Sequence, residues 1–183
     1  LSPDLADQRR RFYLDVVVES LATDYRGPRP LAGPCRNLVG VVAPGAAPPL
    51  AFLARLLSPR RALLLHDERG AAHAATLGDH LRDTLGIDVG FLPFETLFGP
   101  LDDLRPAVDR GIADFLAEDP VADGVVDTVI DLTGGTRRLP FILLDVAPAR
   151  AACVHIDTER VSGQVERIGT EKIVTILMRR TGR

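Results

Sequence analysis

The residues with the most chemistry to offer are consecutive: Asp131-Leu132-Thr133-Gly134-Gly135-Thr136-Arg137-Arg138. Gly134 and Gly135 carry no side chains, so a ligand can approach the backbone closely and the chain can take positive φ. Their N–H groups can form an anion-binding nest. Thr133 and Thr136 add hydroxyl donors. Arg137 and Arg138 can grip phosphate through charge-assisted, bidentate bonds. An apolar helix reads from Leu139, and its start would add free N–H groups and a positive dipole end. Neither GxxxxGK[ST] nor GxGxxG is present, which argues against a phosphoryl-transfer ATPase and against a dinucleotide oxidoreductase. On local physics alone, Gly134-Gly135 is either such a cradle or simply a tight strand-to-helix turn.

A loop of this kind needs a strand before it and a helix after it, and the chain supplies both throughout. Asn37–Ala43, Arg61–His66, Ile87–Leu92, Val125–Leu132 and Ala151–Ile156 are short apolar runs without a period of two, as in strands buried on both faces. Leu50–Leu57, Ala71–Leu85, Leu101–Leu116 and Leu139–Val146 read as helices between them. Leu101, Leu104, Val108, Ile112 and Phe115 form one apolar stripe, and Gly86 is placed to end the helix before it. The alternation predicts an α/β fold: a Rossmann-like parallel sheet with helices on both faces. At the end, Val161–Ile168 and Lys172–Met178 read as an antiparallel hairpin turning at Gly169-Thr170. Ligands of such sheets bind beyond the carboxyl ends of the strands, where strand order reverses. That rule selects the loops after the strands, Ala43–Pro49, Asp67–Gly70, Pro93–Pro100 and Asp131–Arg138, of which the last carries the most chemistry.

Ser2–Ala22 reads as one helix with Leu5, Phe12, Val16 and Leu21 on its apolar side. A breaker follows, Asp24-Tyr25-Arg26-Gly27-Pro28-Arg29-Pro30. The expected division is therefore an N-terminal helix and linker over 1–30, a junction to an upstream module, and a ligand-sensing domain over 31–183.

A strand ending in Asp/Asn-x-Thr-Gly-Gly-Thr-Lys/Arg before an apolar helix resembles the second ligand-binding motif of CARF domains, the CRISPR-associated Rossmann-fold sensors of type III systems. The resemblance runs from about Arg36 to Arg183, and its specific part is Asp131–Arg137. It implies a homodimer in which two copies of this loop and two of the first-strand loop enclose a cyclic oligoadenylate, most often the tetra-adenylate. Carried over by position, Thr133, Gly134, Gly135, Thr136 and Arg137 are phosphate and ribose contacts, with Arg138 beside them. Arg137 stands where lysine is commoner. Pro44, Gly45 and Ala46 match by place only and lack the Ser, Thr or Asn often found there, so their contacts would come from backbone N–H.

The resemblance also raises the question of an effector. The R-x4-6-H spacing of a HEPN ribonuclease occurs twice, at Arg61…His66 and Arg150…His155, but both fall on predicted strands, where the pair cannot converge. His73 and His80 share a helix face without further ligands, so no metal site is expected, and no cofactor is implied. The effector would then lie outside this chain. Three other readings remain. One is a metal-independent ring nuclease, with Thr136 and Arg137 as catalytic candidates. One is an enzyme for a small phosphorylated substrate, drawing on Asp67, Glu68 or Glu95. The last is a degenerate CARF domain regulating a transcription or RNA-repair activator.

The bulk numbers fit this picture. With 183 residues, 46% hydrophobic and 26% charged, the chain is a globular domain able to bury its own core. A net charge of −3 argues against bulk nucleic-acid binding while leaving room for a local anion site. Cys35 and Cys153 have no metal-type spacing and read as buried thiols. No apolar run approaches about 18 residues, so no membrane partner is expected and the cytoplasm is the expected compartment.

Overall fold

The computed structural model describes residues 8, 12–31, 33–43, 47–96, 100–120, 126–134, 138–157, 160–161, 165–166 and 170–178. The strands are β1 (Asn37–Val41), β2 (Arg61–Asp67), β3 (Asp88–Phe94), β4 (Thr128–Asp131), β5 (Ala151–Asp157), β6 (Arg160–Val161), β7 (Val165–Glu166) and β8 (Lys172–Met178). The helices are α1 (Val18–Asp24), α2 (Ala47–Leu57), α3 (Ala71–Leu85), α4 (Leu101–Ala117) and α5 (Leu139–Val146).

Six strands form one sheet in the order β3-β2-β1-β4-β5-β8. The first five run parallel, and β8 pairs antiparallel with β5. The chain steps outward from β1 to β3, then returns to lay β4 against the free side of β1. Strand order therefore reverses between β1 and β4.

Alternation along the strands builds two cores. Leu38, Leu64, Val89, Val129 and Val154 pack beneath α1, α2 and α3. Val39, Val41, Leu63, Leu65, Ile130 and Cys153 pack beneath α4 and α5. A strand that buries both faces cannot alternate apolar with polar, which is why β1 and β4 read as unbroken apolar runs. At the end of α3, Gly86 takes φ +66° and its N–H returns to the Arg82 carbonyl, the left-handed cap that glycine adopts without strain.

Three details differ from the sequence expectations. β3 extends through Pro93, which is tolerated because β3 is an edge strand with one side free of ladder bonds. Lys172–Met178 pairs antiparallel with β5, and among the described residues of 161–168 the antiparallel hairpin is the short β6–β7 pair. The N-terminal helix turns a different face inward. Leu14 and Val18 are buried, whereas Phe12 and Val16 are 61% and 50% exposed. A π-helical turn occupies Tyr13–Val17, and the buried side runs through Leu14, Val18 and the half-buried Leu21, a spacing as regular as that of the expected stripe.

The helix docks on α2, where Arg55 and Glu19 form an ion pair at 2.6 Å through Nη2 and Oε1. Both cysteines are free and buried, and burial pushes the Cys35 thiol up to about 12. Among the described residues, no helix is long and apolar enough to cross a membrane.

Candidate functional site

The two loops selected from the sequence leave neighbouring strands at the reversal of strand order. β1 and β4 are directly paired, with Val39 opposite Ile130. Each ladder continues one residue past its strand: the Val42 N–H donates to the Leu65 carbonyl and the Leu132 N–H to the Val154 carbonyl, both at 2.8 Å. The loops following Val42 and Leu132 therefore start side by side. Gly70 fixes the floor next to them. A Cβ there would sit 2.3 Å from the Val42 carbonyl oxygen, so only glycine lets the turn after β2 close onto the end of β1.

Of the predicted ligand residues, Thr133, Gly134 and Arg138 are described. Pro44, Gly45, Ala46, Gly135, Thr136 and Arg137 lie outside the described residues. Gly134 is buried and Thr133 half-buried. Arg138 is exposed at the N-cap of α5, and its carbonyl accepts the N–H groups of Phe141 and Ile142. Its own side chain makes none of the ion pairs found among the described residues.

Asp131 and Thr133 hold the start of the loop. The Thr133 N–H donates to Asp131 Oδ1 at 2.9 Å, an Asx-type turn in which the side chain stands in for the strand's lost acceptor. The Thr133 hydroxyl oxygen accepts the Ile156 N–H at 2.8 Å and ties the loop to β5. The sequence reading assigned this hydroxyl to the ligand; its oxygen has an internal partner. Asp131 is fully buried. Burial raises its carboxyl above the usual aspartate range, while the Thr133 hydroxyl and amide and the His155 imidazole pull it back down. Its Oδ2 has no hydrogen-bond partner among the described residues. An Asp two positions before a loop amide is the sequence signature of this turn.

The alternative acid–base candidates are placed differently. Asp67 is buried and accepts the Gly70 N–H at 3.0 Å, capping the short 3-10 turn Glu68–Gly70. Glu68 and Glu95 are exposed.

Neither Arg…His pair converges. Arg61 donates to the Phe115 carbonyl and pairs with Glu118, while His66 lies near the opposite end of β2, edge-on to Phe91. Arg150 reaches Leu116 and Asp127, and His155 is five residues along β5. His80 pairs with Asp15 at 3.1 Å, joining α3 to the N-terminal segment. No group of three metal-ligating side chains occurs among the described residues.

No known protein family matches the chain, and no curated protein does. Among solved structures, it is similar to a DNA nuclease of type III CRISPR defence that is activated by cyclic oligoadenylate. The TM-score is 0.52 at 17% identity, over 77% of this chain and 22% of that one. It is also similar to Can2 from Sulfobacillus thermosulfidooxidans in complex with cyclic tetra-adenylate, with a TM-score of 0.48 at 14% identity over 73% and 37% of the two chains. The likeness to the nuclease is one of fold, and the chain spans under a quarter of that protein's length. The Rossmann-like fold that the sequence resemblance implied is the fold observed.

Proposed function

We propose that the chain is a CARF-like sensor domain that binds a cyclic oligoadenylate, most simply the tetra-adenylate, across a homodimer and so regulates an effector in type III CRISPR antiviral defence in the cytoplasm. The observation that carries the reading is the position of the Asp131–Arg138 loop. It leaves the sheet beside the β1 loop at the reversal of strand order, where an open α/β sheet takes its ligand. The fold shared with a nuclease that cyclic oligoadenylate activates supports the choice of ligand.

In this reading, backbone N–H groups of Gly134, Gly135 and the β1 loop, together with Arg137 and Arg138, take the phosphates. A ring of four phosphates with twofold symmetry suits a self-complementary pair of loops. Binding is favoured over ring cleavage by the chemistry at the loop base: Asp131 is buried and the Thr133 oxygen already has a partner, so neither offers an open base.

The test is thermal unfolding with and without cyclic tetra-adenylate. At about 100 times its dissociation constant a ligand adds about 2.7 kcal/mol, a rise of several degrees for a chain of this size. Arg137→Glu is expected to abolish that rise while leaving the ligand-free midpoint unchanged. No shift with any cyclic oligoadenylate, or an equal shift in the variant, would overturn the assignment.

A further inference from the structure

The N-terminal segment touches the supports of both candidate loops, and one side chain makes both connections. Tyr25 follows α1 directly. Its hydroxyl accepts the Ile173 N–H of β8 at 3.3 Å and donates to the Pro28 carbonyl at 3.2 Å. Its ring stands edge-on to Phe52, with centroids 5.5 Å apart at 75°.

Ile173 is the β8 partner of Ile156 on β5. Ile156 sends its N–H the other way, to the Thr133 hydroxyl at 2.8 Å. The two isoleucines thus form a pair whose N–H groups point outward, one toward the β4 loop and one toward Tyr25. Side chains of such pairs approach most closely, and both are buried, at 3% and 5% exposure. One line of contacts therefore crosses the sheet edge from Thr133 through Ile156 and Ile173 to Tyr25 and Pro28. The second line is shorter. Phe52 lies on α2, the helix that follows the β1 loop, so the Tyr25 ring rests on the element carrying Pro44–Ala46. Beside Tyr25 lies a groove of about 770 Å³, flanked by Asp24, Arg26, Lys172 and Val174.

We propose that Tyr25 is a positioning residue that couples both ligand loops to the N-terminal segment. This rests on the sensor reading for its ligand and adds to it the route by which occupancy is reported. A loop tightened on phosphate pulls on Ile156 through Thr133. The paired Ile173 shifts with it, and the Tyr25 hydroxyl follows its donor, changing the turn to Pro28. By linkage, whatever stabilises that turn must strengthen ligand binding by the same factor.

Amide hydrogen exchange on the whole chain tests the coupling in two arms. Without ligand, Tyr25→Phe keeps the ring on Phe52 and removes the hydroxyl. It should speed exchange at Ile173 by about tenfold and, across the pair, at Ile156 by about threefold, with Leu64 of β2 unchanged. Thr133→Val should do the reverse, and the double variant should be less than additive. If each variant perturbs only its own amide, the coupling is refuted.

With cyclic tetra-adenylate, exchange at Ile173 should slow by about fivefold and Tyr25→Phe should lower affinity by about the same factor. Tight binding that leaves Ile173 unchanged overturns the coupling and keeps the sensor reading. Absence of binding by the wild type overturns the sensor reading, while the ligand-free arm still decides the coupling.

Discussion

The two ends of the same sheet are built on opposite plans. At the amino ends of the strands, charge meets charge. Arg36 donates to both Asp119 oxygens at 2.6 Å, and Arg61 pairs with Glu118. Asn37 donates to the Thr128 hydroxyl, which donates to Asp127 at 3.0 Å. At the carboxyl ends two acids turn inward instead, Asp67 to cap Gly70 and Asp131 to hold Thr133, while Glu68, Glu95 and Asp157 are exposed. The amino-end acids are thus tied to arginines and to Thr128, with Arg36 Nε, Asn37 Oδ1 and Asp127 Oδ2 left without hydrogen-bond partners among the described residues, whereas Asp67 and Asp131 at the carboxyl ends are tied to backbone N–H groups.

Substitutions at the two ends should separate stability from binding. The largest effect is expected from Asp127→Ala, which strands the Thr128 hydroxyl and removes the partner lying 3.8 Å from Arg150. Chemical denaturation should show a loss of about 3 kcal/mol, with ligand affinity for the folded protein unchanged. At the other end, Arg138→Ala should weaken cyclic tetra-adenylate binding by about tenfold and leave the unfolding midpoint in place, since the side chain is exposed.

Thr133→Val lies on the boundary between the two behaviours. It leaves the Ile156 N–H without its acceptor and should cost about 1–2 kcal/mol of stability while also weakening binding.

Asp131→Asn has the smallest effect and an informative sign. Because burial raises the carboxyl, the group's contribution to stability is greatest in acid and is lost as pH rises through the folded-state value. Asparagine keeps the acceptor for Thr133 and removes the buried charge. The variant should therefore melt higher than the wild type at neutral pH, and the gain should vanish as pH falls to the ordinary aspartate pKa of about 4.

The two ends were not equally legible in the sequence. β1, β2, β4 and β5 could be read because doubly buried strands leave unbroken apolar runs, edge strand β3 from its apolar run alone, and Gly86 marks a helix end. The carboxyl-end loops followed from strand order. Local spacing does not carry long-range partnership, so the pairing of β8 with β5 was hidden. The inward face of the N-terminal helix was hidden because Leu14-Val18-Leu21 and Phe12-Val16 are both helically spaced apolar sets, and only tertiary packing chooses between them. Tyr25 sat within a run of Pro and Gly that reads as a breaker, and two of its partners, Phe52 and Ile173, lie far away in the chain. The inward commitment of Asp131 was encoded in the Asp-x-Thr spacing, but a carboxylate beside two arginines reads first as surface chemistry.

The most direct test of the central claim is calorimetric titration of cyclic tetra-adenylate into the wild-type chain and Arg137→Glu in parallel. Saturable binding at one ring per two chains is expected in the wild type and none in the variant. Absence of binding by any cyclic oligoadenylate, or a variant that binds as the wild type does, would contradict it.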